Sequence, residues 1–205
     1  MYYVGGDARQ SGIMQGEIVS EVIHVDQELD RNGDGKIQYV LLEGEAGHQD
    51  AIIRTDSVVR TIQSQGIYLE KLSYQFANWN RSQAENKMLQ LIHQYGDDIE
   101  LVLCNNDEMA MGAVDAYEDE GYSLEERPVI FGIDGLDGTL EAVKNDIIQG
   151  TVFNDRQGQA EQIARLATDL FKGNALSGYD FVNERYIFLP YQKVTISNVD
   201  TFMNR

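Results

Sequence analysis

Residues 30–41, DRNGDGKIQYVL, follow the spacing of a twelve-residue calcium loop until its last position. Asp30, Asn32, Asp34 and Gln38 offer acidic or amide oxygens where such a loop needs them, and Gly35 stands where its backbone must turn sharply. Leu41 takes the place of the bidentate Glu, so the closing carboxylate has to come from elsewhere in the chain. An Asx-rich turn leading into a strand is a plainer reading of DRNGDG, and the loop's own letters leave both open.

A second polar set follows a different rule. His48, Asp50 and Arg54 in GHQDAIIR, then Trp79, Asn106 with Asp107, Asp134 and Asn154, stand at or after the ends of five apolar runs. Ligands bind outside the carboxyl ends of strands in open parallel sheets, so this pattern predicts one shared polar rim. Its chemistry suits a neutral polyol. Asp and Asn offer paired oxygens or an oxygen beside an amide, Arg offers a planar fork, and each can bond two adjacent sugar hydroxyls. Trp79 adds a flat apolar face for the C–H groups of a pyranose. Singly, each residue also has a plainer role: Asp107 or Asp50 as a helix N-terminal acid, Trp79 in a core, His48 on the surface. Asp50 and Arg54 alone would make an i, i+4 ion pair worth about 0.3 kcal/mol. No nucleophile with a neighbouring base stands out, and we expect binding rather than catalysis.

The elements that must position these residues alternate along the chain. Strands are expected at 2–5, 37–44, 67–77, 99–105, 128–134 and 150–154, and helices at 48–65, 82–95, 107–120, 136–148 and 156–172. In 48–65, Ile52, Ile53, Val58, Val59 and Ile62 form a stripe at helical spacing, and Gly66 stands at the C-cap position. Apolar strands joined by helices imply an α/β fold with a mainly parallel, doubly wound sheet in three αβα layers. After residue 174 the pattern changes to two short strands around Pro190, which reads as a crossing between lobes.

Composition narrows the class. The net charge of -18, from 34 acidic and 16 basic residues, repels phosphate backbones across a Debye length of about 8 Å, so nucleic acid is excluded as a partner. No apolar run reaches the ~18 residues of a membrane span. The single cysteine, Cys104 in the run IELVLC, reads as a small buried hydrophobe.

With GDGKIQYVLLEGEAGHQDAIIRT, NNDEMAMGAVDAYE, FGIDG and GTVFND in this order, the chain resembles the periplasmic galactose/glucose-binding proteins of sugar ABC transporters, a family of type I periplasmic-binding fold. The resemblance runs from about residue 2 to the C-terminus. It implies that His48, Asp50, Arg54, Asn106, Asp134 and Asn154 hydrogen-bond a sugar and that Trp79 stacks on it. It also implies a structural calcium ion held by Asp30, Asn32, Asp34, the Lys36 carbonyl and Gln38, with Glu100 of DIELVLCNND as the remote bidentate ligand.

By the same resemblance, residues 1–153 form a C-terminal sugar-binding lobe, 154–190 supply a helix and strand belonging to an N-terminal lobe, and 191–205 return to the first. The residues preceding Tyr2 in the family carry most of that N-terminal lobe, so the chain is expected to be a fragment. Helix 156–172, with Ile163, Leu166, Ala167, Leu170 and Phe171 on one face, is then expected to take a non-family position, swap between chains or lose order. The implied function is the extracytoplasmic substrate-binding component of a sugar ABC transporter, periplasmic or lipoprotein-anchored. It would deliver a hexose such as galactose or glucose to the permease. A sensor presenting sugar to a membrane chemoreceptor or histidine kinase is the alternative.

Overall fold

Strand β2 (Ile37–Glu43) is buried along all of its length, and its alternate side chains enter two separate cores. This period of two is what a strand covered on both faces requires. In the computed structural model, which describes residues 1–203, Val40 and Leu42 pack on one face with Ala84, Met88, Met109 and Val114. Tyr39 and Leu41 pack on the other with Ile18, Val19, Val58 and Ile62. Strand β4 (Leu101–Cys104) divides in the same way, Val102 and Cys104 going to the first core and Leu101 and Leu103 to the second.

The second core is covered by α1 (Ala8–Val25) and α2 (Gln49–Ser64). Helices α3 (Arg81–Tyr95), α4 (Asp107–Asp119) and α5 (Asp137–Lys144) cover the first. Between these layers runs the parallel sheet β3-β2-β4-β5, with β3 at Leu69–Phe76 and β5 at Val129–Phe131. Parallel bridges Phe131–Gly150 and Asp134–Phe153 continue it to β6 (Thr151–Phe153), to which β8 (Gln192–Val194) adds antiparallel. Each fully buried Leu or Val in these layers contributes about 1.5–3 kcal/mol by leaving water. The expected doubly wound α/β fold is therefore present.

Helix α1 has no counterpart among the helices expected from apolar spacing. Its buried face includes Ser11, Gly12, Gln15, Gly16 and Ser20, so small and polar residues interrupt the stripe. Gln15 explains part of that face: its Nε2 donates to the carbonyls of Cys104, Phe131 and Gly132 at 2.9, 3.3 and 3.2 Å. Helix α5 stops at Lys144 rather than at 148, and Asp146 at φ 57° turns the chain out of the helix.

One expectation about the lobes changes, and one of the alternatives for helix 156–172, loss of order, is not met. Strand β1 (Tyr3–Gly6) does not join the main sheet with the rest of 1–153: it pairs in parallel with β7 (Tyr186–Leu189) in a two-stranded sheet. The local letters YYVG could not show this, since the partner lies about 180 residues later. Helix α6 (Arg156–Lys172) keeps its helical order and packs against β1, with Leu166 buried, while Ile163, Leu170 and Phe171 are exposed. Pro190 sits between β7 and β8, at the crossing from one sheet to the other. Residues 204–205 of the expected return segment 191–205 lie outside the described residues.

Close helix packing has a specific requirement at Gly112. A Cβ there would lie 2.2 Å from the Arg81 carbonyl oxygen and 3.0 Å from the Glu85 nitrogen, both backbone atoms of α3. Gly112→Ala gains roughly 1 kcal/mol of helix propensity but must push α3 from α4, a cost of about 1–3 kcal/mol or more. We expect a net loss of stability, seen as a lower urea midpoint with an unchanged slope.

Candidate functional site

The carboxyl ends of β2, β3, β4, β5 and β6 point the same way, and each is followed by a turn that sets a polar side chain. After β2, His48 caps α2, its Nδ1 accepting the Asp50 amide at 3.2 Å. Asp50 follows in the first turn. One turn further, the buried Arg54 donates to the Asn105 carbonyl at 2.7 Å and to the Tyr191 hydroxyl at 3.1 Å. Its ion-pair partner is Asp134 at 3.9 Å rather than Asp50. The Arg54 Nε is buried without a partner.

Trp79 reaches the rim through an unusual turn. Asn78 and Trp79 both adopt left-handed backbone, with φ of 52° and 61°, which reverses the chain after β3. The indole then lies on Gly44, where a Cβ would come within 2.2 Å of the ring. Any larger residue at 44 would displace it. His48 meets the indole edge-on at 5.3 Å, and the Arg54 guanidinium lies 5.8 Å from its centroid.

Asn106 ends the turn after β4 as the N-cap of α4, its Oδ1 accepting the Met109 amide at 3.0 Å and its Nδ2 donating to the Trp79 carbonyl at 3.4 Å. Asp134 follows β5 with φ 133°, a conformation rare outside glycine and worth about 1–3 kcal/mol of strain. Burial raises its carboxyl pKa, opposed by Arg54 and by a hydrogen bond to Asn154. Asn154, after β6, also accepts a short hydrogen bond from Gln159.

His48, Arg54, Trp79, Asn106, Asp134 and Asn154 are thus joined by direct contacts at one sheet edge. Asp50 stands beside them, half-buried, with its charge felt by the Tyr3 hydroxyl. The rim is a shelf rather than an enclosed cavity: concave volumes of about 640 Å3 between α5 and α6, and about 420 Å3 between α2 and β3, are lined by other residues. Together the rim offers an aromatic face, a forked cation, a strained carboxylate and two amides, with no nucleophile poised for attack.

Sequence reasoning missed residues that sit behind the rim. Tyr191 is one, 137 positions from its partner Arg54 and without any local motif. Glu43 is another, almost fully buried and accepting the Thr55 hydroxyl at 2.5 Å. Asp107, readable as a first-turn acid, is fully buried instead. It accepts the Leu136 amide at 2.8 Å, the Thr151 hydroxyl at 2.6 Å and the Gly135 amide. Burial, and then the nearby Asp134, push its pKa up to about 7.

The loop at 30–38 lies at the opposite end of the sheet. Asp30 accepts the Asp34 and Gly35 amides at 3.1 and 2.8 Å, and Asn32 accepts the Asp34 amide at 2.9 Å. Asp34 in turn accepts the Lys36 amide and the Gln38 Nε2, both at 2.9 Å. Glu100 reaches this loop: Oε1 accepts the Arg31 amide at 2.6 Å and Oε2 the Gln38 amide at 2.9 Å. It is almost fully buried, which raises its pKa against the pull of those amides. Gln38 Oε1 is buried with no partner, an orphaned acceptor of the kind a cation would satisfy. Among the described residues no three His, Cys, Asp or Glu are grouped as a metal cluster, so any ion here needs the amide and carbonyl oxygens too. The donor set, all oxygen and part carboxylate, fits a calcium-like cation.

A family profile described as a periplasmic binding protein domain matches residues 1–175. The chain is 36% identical to the D-galactose/methyl-galactoside binding periplasmic protein MglB of Haemophilus influenzae, over 98% of this chain and 61% of that protein. It is 33% identical to a xylitol-binding protein of Mycolicibacterium smegmatis, over 83% of this chain and 46% of that one. A crystal structure of an ABC transporter solute binding protein from Bacillus halodurans with bound myo-inositol superimposes with a TM-score of 0.83 at 29% identity, covering 98% of this chain and 63% of the other. The chain therefore spans less than two thirds of the length of these relatives.

The raised Asp107 value sets a pH dependence. The folded protein keeps this proton up to about pH 7, while the unfolded chain releases it near the ordinary carboxylate value. Its contribution to stability is therefore greatest at low pH and is lost as pH rises toward 7. Compared with wild type, Asp107→Asn should show less loss of stability between roughly pH 4 and 7, measured by chemical denaturation across that window.

Proposed function

Because the chain belongs to the periplasmic binding protein domain family, we propose that its rim is one wall of a sugar-binding cleft in an extracytoplasmic solute-binding protein. The ligand class is a hexose such as galactose or glucose, and the partner is the permease of an ABC transporter. The observation that carries this reading is the convergence of Trp79, Arg54 and Asp134 on one sheet edge, with Asn106, Asn154 and His48 in contact with them. Affinity to MglB favours galactose among the hexoses.

The recognition chemistry is noncovalent. Asp134 accepts from two neighbouring hydroxyls while Arg54, already anchored by Asn105 and Tyr191, donates to ring or hydroxyl oxygens. Asn106 and Asn154 each supply one donor and one acceptor. The indole of Trp79 covers the apolar face of the ring, held flat by Gly44 beneath and His48 at its edge. These groups are fixed by caps, strand ends and buried bonds, so little side-chain entropy is lost on binding.

We further propose that Asp30, Asn32, Asp34, Lys36 through its carbonyl, Gln38 and Glu100 hold a calcium ion. It would supply the positive charge that the buried Glu100 and the orphaned Gln38 oxygen lack, and would tie the loop to Glu100, the residue just before β4 and 62 positions beyond Gln38.

Two measurements test these readings on the protein expressed from its complete reading frame. Calorimetry with galactose and glucose should detect binding, and Trp79→Ala should weaken it about tenfold, ~1.4 kcal/mol. Absence of binding by any monosaccharide defeats the sugar reading. Calcium at about 100 times its Kd should stabilise the protein by about 2.7 kcal/mol, and Glu100→Gln should abolish that gain while leaving sugar specificity intact. A melting temperature indifferent to calcium and chelator defeats the metal reading alone.

A further inference from the structure

Asp107 has no exposed surface and so cannot touch a ligand in the cleft, yet its bonds go to the segments on either side of Asp134. Its carboxylate accepts the amides of Gly135 and Leu136, which follow Asp134, and the hydroxyl of Thr151 on β6. Its own amide donates to the carbonyl of Ile133, which precedes Asp134, at 2.8 Å. Gly132 completes the seat, because a Cβ there would lie 2.2 Å from Asp107 Oδ1. Between these pinned residues Asp134 is held at φ 133°, a backbone state a non-glycine residue does not keep unaided.

Ordinary helix capping does not account for Asp107. Asn106 already caps α4, and a first-turn acid acting only on the helix dipole has no need of burial. Burying a carboxylate is costly, and the cost is offset here only by these amides and the hydroxyl.

We propose that Asp107 is a positioning residue for ligand binding: it clamps the backbone around Asp134 and so fixes the carboxylate that faces Arg54 and the sugar. The proposal rests on reading the rim as a hexose site. It makes Asp107 a determinant of affinity that acts through Asp134 alone, without contact with ligand.

A double-mutant cycle on the protein from its complete reading frame tests this, with galactose and glucose as probes and calorimetry as readout. Asp107→Ala should weaken binding about tenfold in the wild-type background, yet change it less than about twofold in an Asp134→Asn background. Asp107→Asn should retain affinity, because its amide oxygen can accept from Gly135 and Leu136 while its NH2 donates to the Thr151 oxygen. Should Asp107→Ala fail to fold, the near-isosteric Thr151→Val removes one bond of the clamp and should show a smaller loss with the same dependence on Asp134. Equal losses in both backgrounds, or no loss in either, overturn the positioning role while leaving the sugar site intact. A wild-type protein that binds neither hexose overturns the sugar site and this role together.

Discussion

The whole arrangement depends on the burial of β2 and β4 on both faces. With helices covering each side of the sheet, polar groups can gather only at the strand ends, and at the carboxyl end the turns all open in one direction. Arg54 shows how strict this is. Its guanidinium is drawn from a buried helix face to the strand-end carbonyl of Asn105, and from there it meets Asp134 and Trp79 together. Take away either helical layer and the rim loses the rigid backing that gives its side chains one geometry.

The two polar ends of the sheet handle buried charge differently. At the rim, the carboxylates of Asp107 and Asp134 are compensated by amides, a hydroxyl and one guanidinium. At the far end, Glu100 accepts backbone amides of the loop and of Gln38 at the start of β2, and among the described residues Gln38 Oε1 has no partner. The first arrangement finds partners for both carboxylates within the chain, although burial still raises their pKa values and the Arg54 Nε stays unpaired. The second is short of positive charge, and that shortage is what the proposed calcium ion would meet.

Much of this was legible in the sequence because the signals are local. Apolar runs of strand length broken by helical periods gave the α/β order, and the residue after each run marked the rim; His48, Arg54, Trp79, Asn106, Asp134 and Asn154 all arrive there. What stayed hidden depends on partners distant along the chain. The pairing of β1 with β7, the bond from Arg54 to Tyr191 and the seat of Asp107 under Asp134 have no periodicity to betray them. Helix α1 escaped for another reason, since Gln15 and two glycines replace the apolar residues that a stripe would need. The exposed face of α6 shows the converse: helical spacing was right, but spacing does not say whether a face is covered.

Strand β3 closes one side of the sheet, and among the described residues its ladder partner is β2 alone, while its Leu72 carbonyl accepts the Tyr95 hydroxyl at 2.9 Å. An open flank of this kind is a template for adhesion between molecules, the more so on a strand whose Tyr74 and Phe76 rings meet edge-on at 5.2 Å. Glu70 and Lys71 interrupt it, but the larger safeguard is global: copies bearing a charge of -18 repel one another before their flanks can meet. Colloidal behaviour is thereby tied to ionic strength, and concentrated salt, by shrinking the reach of that repulsion, strips the flank of its main protection.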